Sequence, residues 1–135
     1  MDKMKDIRWK QRFQNFKKAF MLLQSYVNIN SPSELERAGV IQFFEMAFEL
    51  SWKLMKDYLE ANGYKIRTPR QAIKQSFQSE IITDGHSWLD ALQDRNMTVH
   101  TYDETLSLEM QRKIKEKYYP LLEELYIFMQ NELRP

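Results

Sequence analysis

The chain predicts an all-α protein, an up-and-down four-helix bundle with one additional short helix, on three observations. Apolar residues recur at helical spacing along nearly all of it. Three glycines and four prolines in 135 residues are too few for the frequent tight turns of a β fold. The 43% apolar content suffices for one core, and no Pro/Gly/Ser-rich linker divides it, so residues 1–135 read as a single domain.

The first helix carries Trp9, Phe13, Phe16, Phe20, Leu23 and Val27 in steps of four and three, one continuous apolar seam. An aromatic series at this spacing reads as core. After Asn30-Ser31-Pro32, Ser33 is placed to cap a second helix, with Glu36 three residues on completing a capping box. That helix has two apolar stripes: Ile41, Phe44, Phe48, Trp52, Met55 and Leu59 on one, Val40, Phe43, Ala47, Leu50, Leu54 and Tyr58 on the other. It needs cover on more than one side, from central placement in the bundle or from a second subunit, and a homodimer is expected. Its narrow polar face, Glu45, Glu49, Lys53, Lys56 and Glu60, reads as solvated, with Glu49 and Lys53 spaced as a pair.

Asn62-Gly63 stops the second helix, because glycine takes the left-handed conformation at little steric cost. Thr68 caps a short third helix with Pro69 at its first position, running to about Ser79. From Lys65 to Lys74 stand four basic residues, Lys65, Arg67, Arg70 and Lys74, and no acidic one. Such a run either attracts a polyanion or is simply solvated. Thr83-Asp84-Gly85 precedes a fourth helix through Trp88, Leu89, Ala91 and Leu92 to about Arg95, with His86 at its start and no evident partner. The last helix spans about Tyr102 to Leu133, with Leu106, Met110, Ile114, Tyr118, Leu121, Leu125 and Phe128 inward, and Pro120, inside it, should cost it a backbone hydrogen bond and kink it one turn earlier.

Composition narrows function. There are no cysteines, so disulfides and thiolate metal sites are out, and His and carboxylates do not cluster as in a dedicated metal site. No apolar stretch is long enough to span a bilayer, and Met1-Asp2-Lys3-Met4-Lys5-Asp6 has no apolar run behind it, so a cytoplasmic protein without membrane contact is expected. A net charge of +1 excludes a globally basic nucleic-acid binder and leaves room for local patches.

The densest chemistry lies in Arg95-Asn96-Met97-Thr98-Val99-His100-Thr101-Tyr102-Asp103-Glu104. A guanidinium can grip a phosphate with two parallel hydrogen bonds, and an imidazole titrating near neutrality can move a proton beside it. Thr101 to Glu104 fits a capping box, which would set His100 just before a helix N-terminus, where an anion is favoured. With RNA bound, His100 would serve as general base or acid for attack by the ribose 2′-hydroxyl, and Arg95 would neutralise charge on the phosphoryl oxygens. The competing reading is structural: Arg95 pairs with Asp94 or Asp103, while His100 and Tyr102 satisfy polar groups between helices. Spacing alone leaves both open.

Arg95, four residues, His100, one residue and Tyr102 together resemble the signature of HEPN domains, the all-α domains of HepT-type toxins and nucleotidyltransferase substrate-binding proteins. Trp9, Arg12, Phe13 and Phe16, the run Phe44-Glu45-Met46-Ala47-Phe48-Glu49-Leu50-Ser51-Trp52-Lys53, Thr68-Pro69-Arg70 and Asp94-Arg95-Asn96 are similar to recurring segments of the latter subfamily. The resemblance implies a helical-bundle homodimer partnered by a small nucleotidyltransferase, with no cofactor. It implies catalytic roles for Arg95 and His100 in metal-independent RNA cleavage, and for Tyr102 a role as acceptor of AMP that silences the site. Asn96, Thr101, Asp103 and Glu104 fall in supporting or binding positions. Two functions are thus expected: a ribonuclease toxin held in check by its nucleotidyltransferase, or a non-catalytic subunit that binds a nucleotide or presents substrate to that enzyme.

Overall fold

In the computed structural model, which describes residues 2–96 and 102–134, every element is helical. The order is α1 (Lys3–Tyr26), α2 (Glu34–Ala61), α3 (Pro69–Gln78), α4 (Gly85–Arg95), α5 (Glu104–Lys113), a π-helical turn (Ile114–Tyr118) and α6 (Tyr119–Glu132). The last three form one rod. Among the described residues no helix is long and apolar enough to cross a membrane.

Local chemistry accounts for each boundary. Asp2 caps α1 by accepting from the amides of Met4 and Lys5. At α2 the Ser33 hydroxyl accepts from the Glu36 amide at 3.1 Å, and the Glu36 carboxylate accepts from the Ser33 amide at 2.9 Å, the reciprocal capping box the sequence predicts. Gly63, at φ +95°, ends α2, with the Tyr64 amide donating to the Leu59 carbonyl at 3.0 Å. Thr68 accepts from the Gln71 amide at 3.1 Å, and Pro69 opens α3, where its missing N–H costs nothing. Asp84 caps α4 through the Ser87 amide at 3.0 Å.

The α1 seam is buried throughout: Trp9, Phe13, Phe16, Phe20, Leu23 and Val27. Both stripes of α2 are covered because α2 lies centrally, packed against α1, α3, α5 and α6. Rings bind the layers. Phe20 stacks on Tyr119 and Tyr126 of α6, while Phe44 stacks on Tyr118 at 5.6 Å and Phe48 meets Trp88 of α4 at 5.9 Å. Two polar links cross the core: Arg12 pairs with buried Asp57 at 2.9 Å, and buried Arg37 donates to the Ser107 hydroxyl at 2.8 Å.

The final rod departs from the expected face in two places. Leu106 is exposed and Ser107 turns inward, because Ser107 meets Arg37. Beyond Tyr118 the buried residues are Leu122, Leu125 and Met129, whereas Leu121 and Phe128 are only half-buried. In the turn ahead of Pro120, where a kink is expected, the helix widens into a π turn in which the Tyr119 amide donates to the Ile114 carbonyl, five residues back. The residue absorbed by that turn leaves Leu125 inward and brings Leu122 and Met129 in where Leu121 and Phe128 are expected.

Candidate functional site

Arg95 occupies the last turn of α4, where a cation favourably meets the negative end of the helix dipole. Its guanidinium crosses to α2. There it pairs with the Glu49 carboxylate and lies 5.8 Å from the centroid of the Phe48 ring, with a quarter of the side chain exposed. A longer bond of 3.4 Å runs to the Asn96 side chain. These contacts border an open cleft of about 400 Å³ lined by Gln42, Glu45, Met46, Glu49 and Arg95.

Glu49 is the residue that sequence reading missed. Helical spacing puts it on the solvated face of α2, and its bond to Lys53 at 3.5 Å is indeed there, but its closer partner is Arg95. Asp94 and Asp103, the partners offered by the structural reading, are both engaged elsewhere. Consecutive helical residues point about 100° apart, so Asp94 meets the final rod while Arg95 meets α2. Asp94 accepts from the Tyr118 hydroxyl and from Lys113 at 3.2 Å, and one turn earlier Asp90 accepts from Lys117 at 2.8 Å. This double clamp fixes α4 against the π turn and so sets where Arg95 emerges.

The clamp is legible in the electrostatics. Burial, with the bond to Asp94 behind it, pushes the Tyr118 phenol far above its ordinary range. Burial works against the Lys113 ammonium, yet its bond and attraction to Asp94, with Glu109 adding, hold its pKa above the ordinary lysine value. The Lys117 bond lowers Asp90. His86, expected to stand without a partner, lies 3.6 Å from Asp90, one turn along α4, with its ring almost fully exposed.

Of the remaining expected site residues, Asn96 follows Arg95 as the C-cap of α4. Tyr102 is 83% exposed just ahead of α5. Asp103 is the N-cap of α5, accepting from the Leu106 amide at 3.2 Å, and Glu104 is the first helical residue. The helix therefore begins two residues later than a Thr101 cap requires, because the Asp103 carboxylate is the stronger competitor for the free amides. That carboxylate and Glu104 already supply negative charge at this terminus, so it is not an open anion site. His100 and Thr101 lie outside the described residues. Among the described residues no group of three or more His, Asp or Glu converges as a metal site.

Chemically, the arrangement offers a guanidinium pre-oriented by a carboxylate and a ring at the end of α4, and an exposed phenol just ahead of α5. Glu45 and Glu49 outnumber Arg95 among the charges lining the cleft. A phosphate gripping Arg95 must therefore share it with Glu49 or displace it.

Comparison with known proteins agrees with this architecture. The model of the family described as nucleotidyltransferase substrate binding protein like matches residues 11–131. A protein of Haemophilus influenzae described as a probable ribonuclease HepT is 30% identical over 89 residues, 58% of this chain and 58% of that protein. The match thus spans just over half the length of the curated relative. A crystal structure of a Thermus thermophilus protein superposes with a TM-score of 0.79 at 30% identity, covering 88% of this chain and 99% of that one.

Proposed function

Because the chain belongs to the nucleotidyltransferase substrate binding protein like family, we propose that it is the partner subunit of a small nucleotidyltransferase in a two-component, toxin–antitoxin-like pair. In this reading it carries a metal-independent ribonuclease site at Arg95 and His100 that modification of Tyr102 silences. The observation that carries the reading is the setting of Arg95: a guanidinium held by Glu49 and Phe48 at the lip of an open cleft, at the end of a helix clamped in place. A pre-oriented cation at that position stabilises charge that develops on a phosphoryl group without reorganising. His100 takes the proton of the 2′-hydroxyl or supplies one to the departing 5′-oxygen. Tyr102 is suited to accept a nucleotidyl group because its ring stands in solvent, and the added negative charge would compete for Arg95.

A homodimer fits the same surface. Leu35 and Met46, eleven residues and three turns apart on α2, are 83% and 40% exposed, and beside them a Cβ added to Gly39 would touch nothing. That strip includes Met46 from the Arg95 cleft, so a second copy laid on it would bring two such clefts together.

The second reading, a non-catalytic subunit that binds a nucleotide or presents substrate, is favoured by the surplus of carboxylates around Arg95. One experiment separates the two. Protein purified without its partner is mixed with RNA in EDTA, and nucleotide binding is titrated in parallel. Cleavage that Arg95→Ala and His100→Ala abolish supports the ribonuclease; no cleavage together with saturable nucleotide binding supports the binding subunit.

A further inference from the structure

The basic run before and along α3 lies outside the Arg95 cleft and has no part in the function proposed above. Lys65, Arg67, Arg70 and Lys74 are all exposed, and none has a carboxylate partner among the described residues. Lys53, Lys56, Lys113 and Lys117, by contrast, each sit on an acidic side chain. Two aromatic residues bracket the run, Tyr64 at 43% exposure and Phe77 at 51%. Within α3, Arg70, Lys74 and Phe77 fall at i, i+4 and i+7, along one face.

Phe77 is held there by its neighbour. It walls a cleft of about 360 Å³ between α3 and α4, whose other residues include Ile73, Lys74, Gly85, His86 and Leu89. A Cβ added to Gly85 would lie 3.2 Å from the Phe77 ring. The Gly85 backbone is not in the left-handed region, so what favours glycine at this position is the close approach of the ring, which a Cβ would push aside by a few tenths of an ångström. The result is an apolar cleft with a half-exposed aromatic wall, flanked by Lys74 and His86, at the end of a line of unneutralised cations.

From this arrangement we infer that α3 and the loop before it form a docking surface for single-stranded RNA, with Lys65, Arg67, Arg70 and Lys74 on phosphates and Phe77 stacking a base. Cations that track a backbone beside aromatic platforms bind single strands with little regard to sequence, since every base has a π-face. An acidic polypeptide would satisfy the cations but gives the half-exposed ring nothing to stack. The choice of RNA as the polyanion rests on the ribonuclease reading, and the surface would hold the strand while the Arg95 cleft acts on it.

The test is fluorescence anisotropy with a labelled oligouridylate of about 12 nucleotides, bound in EDTA by full-length His100→Ala protein so that the strand survives. Adding Arg70→Gln and Lys74→Gln is expected to weaken binding at least tenfold at moderate salt and to reduce the slope of log K against log salt by about 1.4. Phe77→Ala is expected to weaken binding roughly tenfold with the slope unchanged. Circular dichroism should show both variants folded. RNA binding that is absent, or that neither change alters, overturns the inference. So does polyglutamate binding as tightly as RNA and insensitive to Phe77→Ala. Wild-type protein that binds RNA through this surface but never cuts it would sink the ribonuclease reading and leave the docking surface standing; cleavage with binding indifferent to Arg70, Lys74 and Phe77 would do the reverse.

Discussion

At the scale of single residues, the proposed ribonuclease site turns on how Arg95 is held. Glu49 is 39% exposed, and a pair so open to solvent contributes only about 0–1 kcal/mol to stability. Its worth lies in orientation. Glu49→Gln should therefore shift the unfolding midpoint little while lowering RNA cleavage by roughly 10- to 100-fold, as expected when a catalytic group is misplaced by a fraction of an ångström to an ångström. A large loss of stability, or unchanged cleavage, would contradict a positioning role. The pair is not legible in the sequence because its members are 46 residues apart, and nothing in the local pattern of α2 separates an acid that answers a distant arginine from one that answers Lys53. The place of Arg95 at the end of α4 is legible, because the apolar spacing through Trp88, Leu89 and Leu92 runs out there.

At the scale of elements, the caps written as side-chain chemistry at Ser33, Thr68 and Gly63 can be read from the sequence, since each depends on residues within a few positions. The start of α5 is harder. Thr101 and Asp103 both suit a cap, and only the folded chain shows Asp103 in use. A kink ahead of Pro120 is what the sequence predicts, and the π turn with its shift of register is not legible, because its consequence, Leu122 and Met129 inward in place of Leu121 and Phe128, depends on how many residues the turn absorbs. Pro120 stands in the first turn of α6, where a missing N–H is tolerated, not in an unbroken helix. Pro120→Ala should thus change stability by less than about 1 kcal/mol in denaturant titration, well short of the ~3 kcal/mol that removing an interior proline would return. A gain of that larger size would mean that the π turn is imposed by the proline alone.

At the scale of the molecule, α2 resolves the choice its two stripes posed, for central placement covers both, and what remains exposed is the strip at Leu35 and Met46. Sedimentation should find a dimer that Leu35→Lys with Met46→Lys converts to a monomer of unchanged helicity; a wild-type monomer would contradict the dimer. Acid stability belongs at this scale too. The pKa values of Asp84 and Asp90 are lowered in the fold, by bonds from Ser87 and Lys117 respectively. A depressed carboxylate stabilises fully above its unfolded value, and that contribution is lost as pH falls through the folded one. Stability should therefore fall below about pH 3.8, the ordinary value for both residues. Asp90→Asn should make that limb shallower, because the contribution of the carboxylate is then already missing from the plateau near neutrality; an equally steep limb in chemical denaturation would contradict the role given to Asp90.

If Arg95 and His100 drive attack by a ribose 2′-hydroxyl, the most direct test is the cleavage rate of an end-labelled RNA and of its fully 2′-O-methylated counterpart, each with the partner-free protein in EDTA. The RNA should be cut and the methylated strand left whole, and Arg95→Ala and His100→Ala should each abolish cutting. Equal cleavage of both strands, or an intact RNA after prolonged incubation with the wild-type protein, would contradict that chemistry.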